Sequence, residues 1–385
     1  MTSRAAHQAG PAGDQDAIPK VAIACQGGGS HTAFTAGALE AILSNAGQGR
    51  DWRLVGLSGS SGGAICALLA WYGLLRHASQ PNVAGVRAAA GIGAFWADNA
   101  ATEWWDWLTN QYLVGLRRLQ DAGLLGHFAP PPVLRRLAQD SVRALIERHV
   151  DFEALHGLLA QTPDHPTLAF SAVDAVSGSF AVFEECCPDP TWQRLSAGDL
   201  PPSVSVAAVL ASSAVPPAFP GVDLGPGRAS RYWDGLYAYN PPIRALLDRP
   251  PAERPDEVWV IQIDPTAVPA EPQSLPLILD RQAQLSANLS LNGEIHWIKQ
   301  VNRWVRDGLL PDSEFKQIRV ARIEMSEAVG AGRSLASKAD RSPDHLNTLI
   351  ADGRTQAAAF LRRRADGDDA CWEPTFPHVR DTVGR

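Results

Sequence analysis

The sequence predicts an α/β fold built on a mainly parallel sheet, and two observations carry that expectation. Two strand–loop–helix units follow one another near the start: Lys20 to Cys25 leads through a glycine-rich loop into a helix over 32–44, and 52–57 leads through a second such loop into a helix over 62–75. A later apolar run, 258–264, reads as a further buried strand. In sheets of this kind the loops that carry chemistry gather at the carboxyl ends of the strands. Both glycine-rich loops are therefore expected on one edge.

Composition narrows the class. At 385 residues the chain can bury a large core, as one large domain or two ordinary ones. A net charge of −7 lacks the basic footprint of a nucleic-acid binder, so no nucleic-acid partner is expected. It also opposes holding an anionic membrane by charge alone. The five cysteines, Cys25, Cys66, Cys186, Cys187 and Cys371, contain no C-x-x-C pair. That removes zinc-ribbon and dithiol readings and suits a reducing cytoplasm. No metal or cofactor is expected. Residues 1–17 are rich in Ala, Gly and Gln, without the apolar core of a signal peptide, and read as a disordered tail. The longest apolar run, 64–75, would span about 18 Å as a helix, short of the ~30 Å hydrocarbon core of a bilayer.

Taken in order, Lys20 to Cys25 is a short buried strand, and Gln26-Gly-Gly-Gly-Ser-His31 follows it into the first helix. A strand, a triple glycine and a helix start make a nest of backbone N–H groups, suited either to a phosphate or to an oxyanion. The phosphate patterns fail: Thr32 stands where a G-x-G-x-x-G would close, and no Walker lysine is present. The second strand runs into Gly59-Ser-Ser-Gly-Gly63, which fits G-x-S-x-G. In a strand–turn–helix frame this is a nucleophile elbow, with Ser61 as the nucleophile and Gly59 and Gly63 allowing strand and helix to close in. The following helix points its positive end at the serine.

Residues 88–128 hold Trp96, Trp104, Trp105 and Trp107 among many other apolar side chains and read as two or more helices. Core packing explains them most simply; the sharper reading, taken over 88–160, is a helical lid or acyl-chain pocket near a lipid interface. Pro130 to Pro132 end the first block, and 133–159 reads as amphipathic helices. Residues 167–173 and 179–183 read as strands joined by a turn, and 204–213 as a short apolar helix before Pro216 and Pro217. Asp234, followed by Gly235, lies in Arg231-Tyr-Trp-Asp-Gly-Leu-Tyr237. Beyond Pro265 the pattern changes: 275–307 is mostly helical, 317–323 is a last strand, and 343–364 a helix whose terminal arginines read as a solvated end. The expected organisation is a tail over 1–17, a catalytic domain over 18–265 and a mostly helical extension over 266–385.

Four separated pieces stand in order: Gln26 to His31, Gly59 to Gly63, Ala211-Ser-Ser-Ala-Val-Pro-Pro217, and Asp234-Gly235 followed by Asn240-Pro-Pro242. Together they resemble the patatin-like phospholipase family, bacterial branch, from about Lys20 to Pro265. The resemblance implies a three-layer α/β/α sandwich and a Ser–Asp dyad. In it Ser61 is the nucleophile and Asp234 the base; Gly27, Gly28 and Gly29 form the oxyanion loop, and His31, Gly62 and Gly235 line the site. The implied substrate is a lipid or other acyl ester, with peripheral membrane contact a further expectation and oligomeric state left open. Four positions depart from the family pattern: Gln26 replaces an acidic residue, His31 a basic one, Thr32 a glycine, and Leu236 a small residue. His31 would alter the charge near an oxyanion or phosphate.

A carboxylate at its ordinary pKa of about 4 is a weak base for a serine, so the chemistry asks for a desolvated Asp234. Trp233, Tyr237 and Tyr239 are the candidates for an apolar wall. A Ser-His-Asp triad is the nearest competitor, with His296, His345 or His378 as the histidine. Polyester or thioester hydrolysis, a non-catalytic lipid-binding relative and a nucleotide binder using the glycine nest complete the alternatives.

Overall fold

The computed structural model describes residues 18–121, 124, 130–185, 204–224, 231–331 and 333–377. The expected tail over 1–17, Cys186, Cys187 and His378 lie outside them, as does the side chain of Trp105. The elements in chain order are β1 (Lys20–Cys25), α1 (Ala33–Leu43), β2 (Arg53–Gly59), α2 (Gly62–Arg76), α3 (Pro81–Asn99), α4 (Trp104–Asp121), α5 (Pro132–His149), α6 (Leu155–Gln161), β3 (Thr167–Asp174) and β4 (Phe180–Glu185). They continue through α7 (Val206–Ser212), β5 (Tyr232–Asp234), α8 (Arg244–Leu247), β6 (Glu257–Gln262), α9 (Leu275–Arg306), β7 (Arg319–Glu324), α10 (Glu327–Gly330) and α11 (Pro343–Ala365).

Seven strands form one sheet in the order β4-β3-β2-β1-β6-β7, with β5 also paired to β3. β1 pairs in parallel with both β2 and β6, β2 with β3, and β6 with β7. Only β4 and β5 run antiparallel, both against β3. β3 has room for two partners on one side because β2 pairs only with its first half, Thr167 to Phe170; β5 takes the second half, Ala172 to Asp174.

The central strands are buried on both faces, which is why β1 and β6 read as unbroken apolar runs. Alternation sends Val21, Ile23 and Cys25 into one core with α1, α2, α3 and α11. It sends Ala22 and Ala24 into a second core with α8 and α9. The result is an α/β/α sandwich with a mainly parallel sheet.

The stretch beyond 265 supplies both an edge strand and a covering helix. β7 extends the sheet beside β6, and α11 lies along α1. Small residues permit that helix pair to approach: a Cβ at Gly37 would stand 2.0 Å from Ile350 O, and one at Gly353 2.0 Å from Phe34 O. Glu257, fully buried on β6, is held by Arg319 (2.7 Å) and Arg364 (2.7 Å) from this same stretch. The tryptophans of 88–128 divide. Trp96 is core, with 4% exposure, whereas Trp104 and Trp107 face outward.

Candidate active site

The sheet brings the ends of β1, β2 and β5 to one edge, and the loops that leave them meet there. Ser61 stands between β2 and α2 at φ 54°, ψ −131°. It is the one non-glycine residue with positive φ among the described residues. A serine in this region is strained, and the surroundings must hold it. Its N–H donates to Ser212 O (3.0 Å), and its C=O accepts from Ala64 N (2.9 Å) as α2 begins. Gly59 and Gly63 are close-approach positions: a Cβ on Gly59 would fall 2.4 Å from Gly63 O, and one on Gly63 2.3 Å from Cys25 O.

The neighbouring Ser60 is fully buried and engaged. Its hydroxyl bonds to Tyr239 O and lies 2.7 Å from Ser171 Oγ. Ser61 keeps 7% exposure. Two adjacent serines thus divide the work: one ties the loop to β3, and the other stands over the site.

The triple-glycine loop lies directly against Ser61. A Cβ on Gly27 would meet Ser61 Cβ at 2.9 Å, and one on Gly62 would meet Thr32 Oγ1 at 2.2 Å and Gly29 O at 3.0 Å. Gly27 N–H is already committed, donating to Asn240 Oδ1 (2.8 Å). One of the three glycines expected in the oxyanion loop thus spends its N–H on holding the loop in place. Among the described residues no acceptor takes the N–H of Gly28 or Gly29, nor that of Gly62 at the start of α2. The N–H groups of Gly28, Gly29 and Gly62 are thus uncommitted, with Gly27 serving as the loop's anchor. Asn240 is a residue whose role sequence reasoning missed, although its Asn-Pro-Pro run was one of the four pieces.

Asp234 ends β5 with no exposure. Burial pushes its carboxyl up to about 7, against the lowering effects of Leu236 N–H, the Ser61 hydroxyl and Lys338. Leu236 N donates to Oδ1 at 2.7 Å. Oδ2 is buried without a partner that meets hydrogen-bond geometry. The Ser61 hydroxyl is thus close enough to be felt by the carboxylate but sits outside a formed bond. Gly235 lets the turn after the aspartate lie on β3, where a Cβ would stand 2.2 Å from Ser171 Oγ. The expected apolar wall is only partly there. Trp233 points to the opposite face of β5, with 38% exposure, while partial burial, and then the nearby Asp234 carboxylate, raise the pKa of Tyr237.

The four departures from the family pattern have physical accounts, except for the Leu236 side chain, where only the backbone acts. Gln26 uses both ends of its amide: Oε1 accepts from Ile263 N (2.7 Å) and Asp264 N (2.9 Å), and Nε2 donates to Asn288 Oδ1 (2.8 Å). A carboxylate could accept those two bonds but could not donate the third. Thr32 closes the turn Gly29–Thr32 through Oγ1 to Gly29 O (2.6 Å). His31 is buried against Ser337 Oγ (2.8 Å), and burial with nearby Lys338, His345 and Arg333 holds its pKa well below the usual value. It is therefore neutral and adds no positive charge beside the loop.

No histidine among the described residues bonds to Ser61 or Asp234. His345 contacts Arg333 and His31, and His296 packs on Phe376 and is exposed. Among the described residues there is also no cluster of metal-ligating side chains, and no helix is long and apolar enough to cross a membrane.

A serine on a strained turn, a glycine loop and a buried carboxylate thus meet at one edge of the sheet. No curated protein matches the chain in sequence. Among solved structures, VipD from Legionella pneumophila matches at 13% identity with a TM-score of 0.34, over 91% of this chain and 77% of that one. The sequence profile described as patatin-like phospholipase matches residues 23–247, a span that runs from the glycine loop through Ser61 to Asp234 and Asn240. With more than half of its length matched, the chain belongs to the patatin-like phospholipase family.

Proposed function

We propose that the protein is a serine acyl hydrolase that cleaves the carboxylic esters of lipids, with Ser61 as nucleophile and Asp234 as the sole base. The observation that carries this reading is the raised carboxyl of Asp234, at about 7, beside a serine held at φ 54°. A carboxylate with that proton affinity can take the serine proton near neutrality, where an ordinary aspartate could not.

In the first step Ser61 Oγ attacks the ester carbonyl carbon while Asp234 accepts the hydroxyl proton. The C=O electrons move onto oxygen, and the oxyanion is met by the N–H groups of Gly28, Gly29 and Gly62 at the positive end of α2. A donor in such a hole contributes roughly 3–4 kcal/mol to the barrier. Collapse expels the alcohol, which takes the proton back from Asp234, and leaves an acyl-serine. Water, deprotonated by the same carboxylate, then releases the fatty acid. The described thiols, Cys25, Cys66 and Cys371, are free, which supports a reducing compartment such as the cytoplasm.

The test is labelling by a fluorophosphonate together with hydrolysis of a panel of phospholipids and neutral esters. Wild type should be labelled and active on at least one lipid, and Ser61→Ala neither. Labelling that survives in Ser61→Ala would remove the nucleophile assignment, and full activity in Asp234→Asn would remove the base.

A further inference from the structure

Helix α4 is built inside out. Its buried positions include Asn110 and Gln120 beside Val114, at 2%, 7% and 2% exposure. Its outward positions carry large apolar side chains, Trp104, Trp107, Leu108, Tyr112 and Leu113, at 38–68% exposure, beside the polar Thr109, Gln111 and Arg118. Trp104 and Trp107 stack on one another with ring centroids 5.5 Å apart. The polar inner face is not an error of register, because it is bonded. Asn110 Nδ2 donates to Asp340 Oδ1 (3.0 Å), and Asn110 Oδ1 accepts from Arg341 N (2.9 Å). Turning α4 to bury its tryptophans would break both bonds. A helix fixed with its apolar face outward needs an occupant for that face.

We propose that the outward face of α4, together with the exposed Val133, Leu134 and Leu137 at the start of α5, seats the protein on an anionic lipid bilayer. The proposal rests on the lipid-ester reading above and names the surface from which that substrate would be taken. Three observations favour a bilayer over a protein. The face is rich in Trp, Tyr and Leu, the side chains that settle at the headgroup level. Charge favours it as well: residues 104–149 hold six Arg against four Asp and Glu, in a chain of net charge −7. Arg118 and Arg136 on these helices are exposed. The local excess of cations is what an anionic headgroup layer attracts while the rest of the molecule is repelled. Finally, the inner side of α4 is anchored to the segment that borders the site. Asp340 and Arg341 follow Ser337 and Lys338, which hold His31 and Asp264 beside the glycine loop. On the α5 side, Gln139 Nε2 donates to Pro220 O (3.0 Å), close to the Val215–Pro217 run that adjoins Asp234.

The experiment uses the full chain and vesicles of phosphatidylcholine, with or without phosphatidylglycerol. Partition is read by sedimentation and by the blue shift of tryptophan emission. Wild type and Ser61→Ala should bind alike, and more tightly when phosphatidylglycerol is present. A Trp107→Ser, Tyr112→Ser, Leu113→Ser variant should bind at least roughly tenfold more weakly, with unchanged hydrolysis of a dissolved short-chain ester. A second variant, Arg118→Gln with Arg136→Gln, should keep phosphatidylcholine binding and lose the phosphatidylglycerol preference. Absence of wild-type binding to both vesicles, or equal binding by the triple variant, overturns the proposal. So does a wild-type dimer that the triple variant breaks while neither protein binds vesicles, because the face would then belong to a second copy. Vesicle binding by a wild type that hydrolyses no ester would support the docking face and sink the hydrolase reading, so the two failures remain distinct.

Discussion

Ser60 and Ser61 carry the same side chain, and only their backbone environments separate them. The G-x-S-x-G spacing selects Ser61, and the fold gives the reason: its φ of 54° turns it away from the Ser171–Tyr239 contacts that occupy Ser60. The glycines were equally legible as a loop, but the commitment of Gly27 N–H to Asn240 depends on a residue 213 positions away, which spacing cannot reveal. The buried Asp234 yields a prediction with a definite sign. Its folded pKa of about 7 lies above the ordinary value of 3.8, so the folded chain holds a proton that the unfolded chain releases. Stability therefore falls as pH rises between those two values. Asp234→Asn should be more stable than wild type at about pH 8, by about 1–3 kcal/mol in denaturant unfolding, with the advantage shrinking near pH 4. Catalysis runs the other way: wild-type kcat/KM should climb with pH and level off above about 7, as the carboxylate form becomes available. At Gln26 the family's acid can be restored. Gln26→Glu should cost about 1–3 kcal/mol near neutrality, because Asn288 Oδ1 loses the closer of its two donors, keeps only Gln262 Nε2 and faces a carboxylate. The loss should shrink at acid pH, where a protonated Glu can donate again.

Among the elements, the long periodic segments were readable and the short or inverted ones were not. The strand expected over 20–25 is β1, and the helices expected over 275–307 and 343–364 are α9 and α11 to within a residue. β5, by contrast, is three residues long, too short for alternation to register, yet it carries Asp234 to the site. Helix α4 shows the opposite difficulty. Its amphipathic pattern is plain in the sequence, but periodicity does not say which face turns inward, and here hydrogen bonds to Asp340 and Arg341 decide it. The pairing of α1 with α11 makes a separate prediction. Gly353→Ala places a methyl 2.0 Å from Phe34 O, so the helices must part. Thermal unfolding should show a loss of about 1–3 kcal/mol, with kcat of the folded fraction nearly unchanged, since Ser61 and Asp234 lie on other elements.

At the scale of the whole molecule, the sandwich does not stop where the four motif pieces stop. A chain cut after Gln317 would leave β6 as a bare edge and α1 uncovered. It would also leave Glu257 buried without Arg319 or Arg364, a loss of about 3–5 kcal/mol for a pair broken from one side. Such a chain should be insoluble or unfolded and inactive, as judged by circular dichroism and ester hydrolysis; a soluble, active fragment would show that β7 and α11 are dispensable. The alternation of strands and helices that announces the fold is local and visible in sequence. The closing of the sheet by β7 is a contact between distant segments and is not. This arrangement also sets a timetable. During synthesis α1 emerges early, but its partner α11 follows some 310 residues later, a wait of ~30 s at ~10 residues per second. The glycine loop and the elbow are translated within the first 63 residues, yet the sheet that aligns them is completed only after 319–365 have left the ribosome. If Ser61 acts as proposed, a nascent chain should therefore carry it well before it can use it, and unfinished copies should hydrolyse no ester.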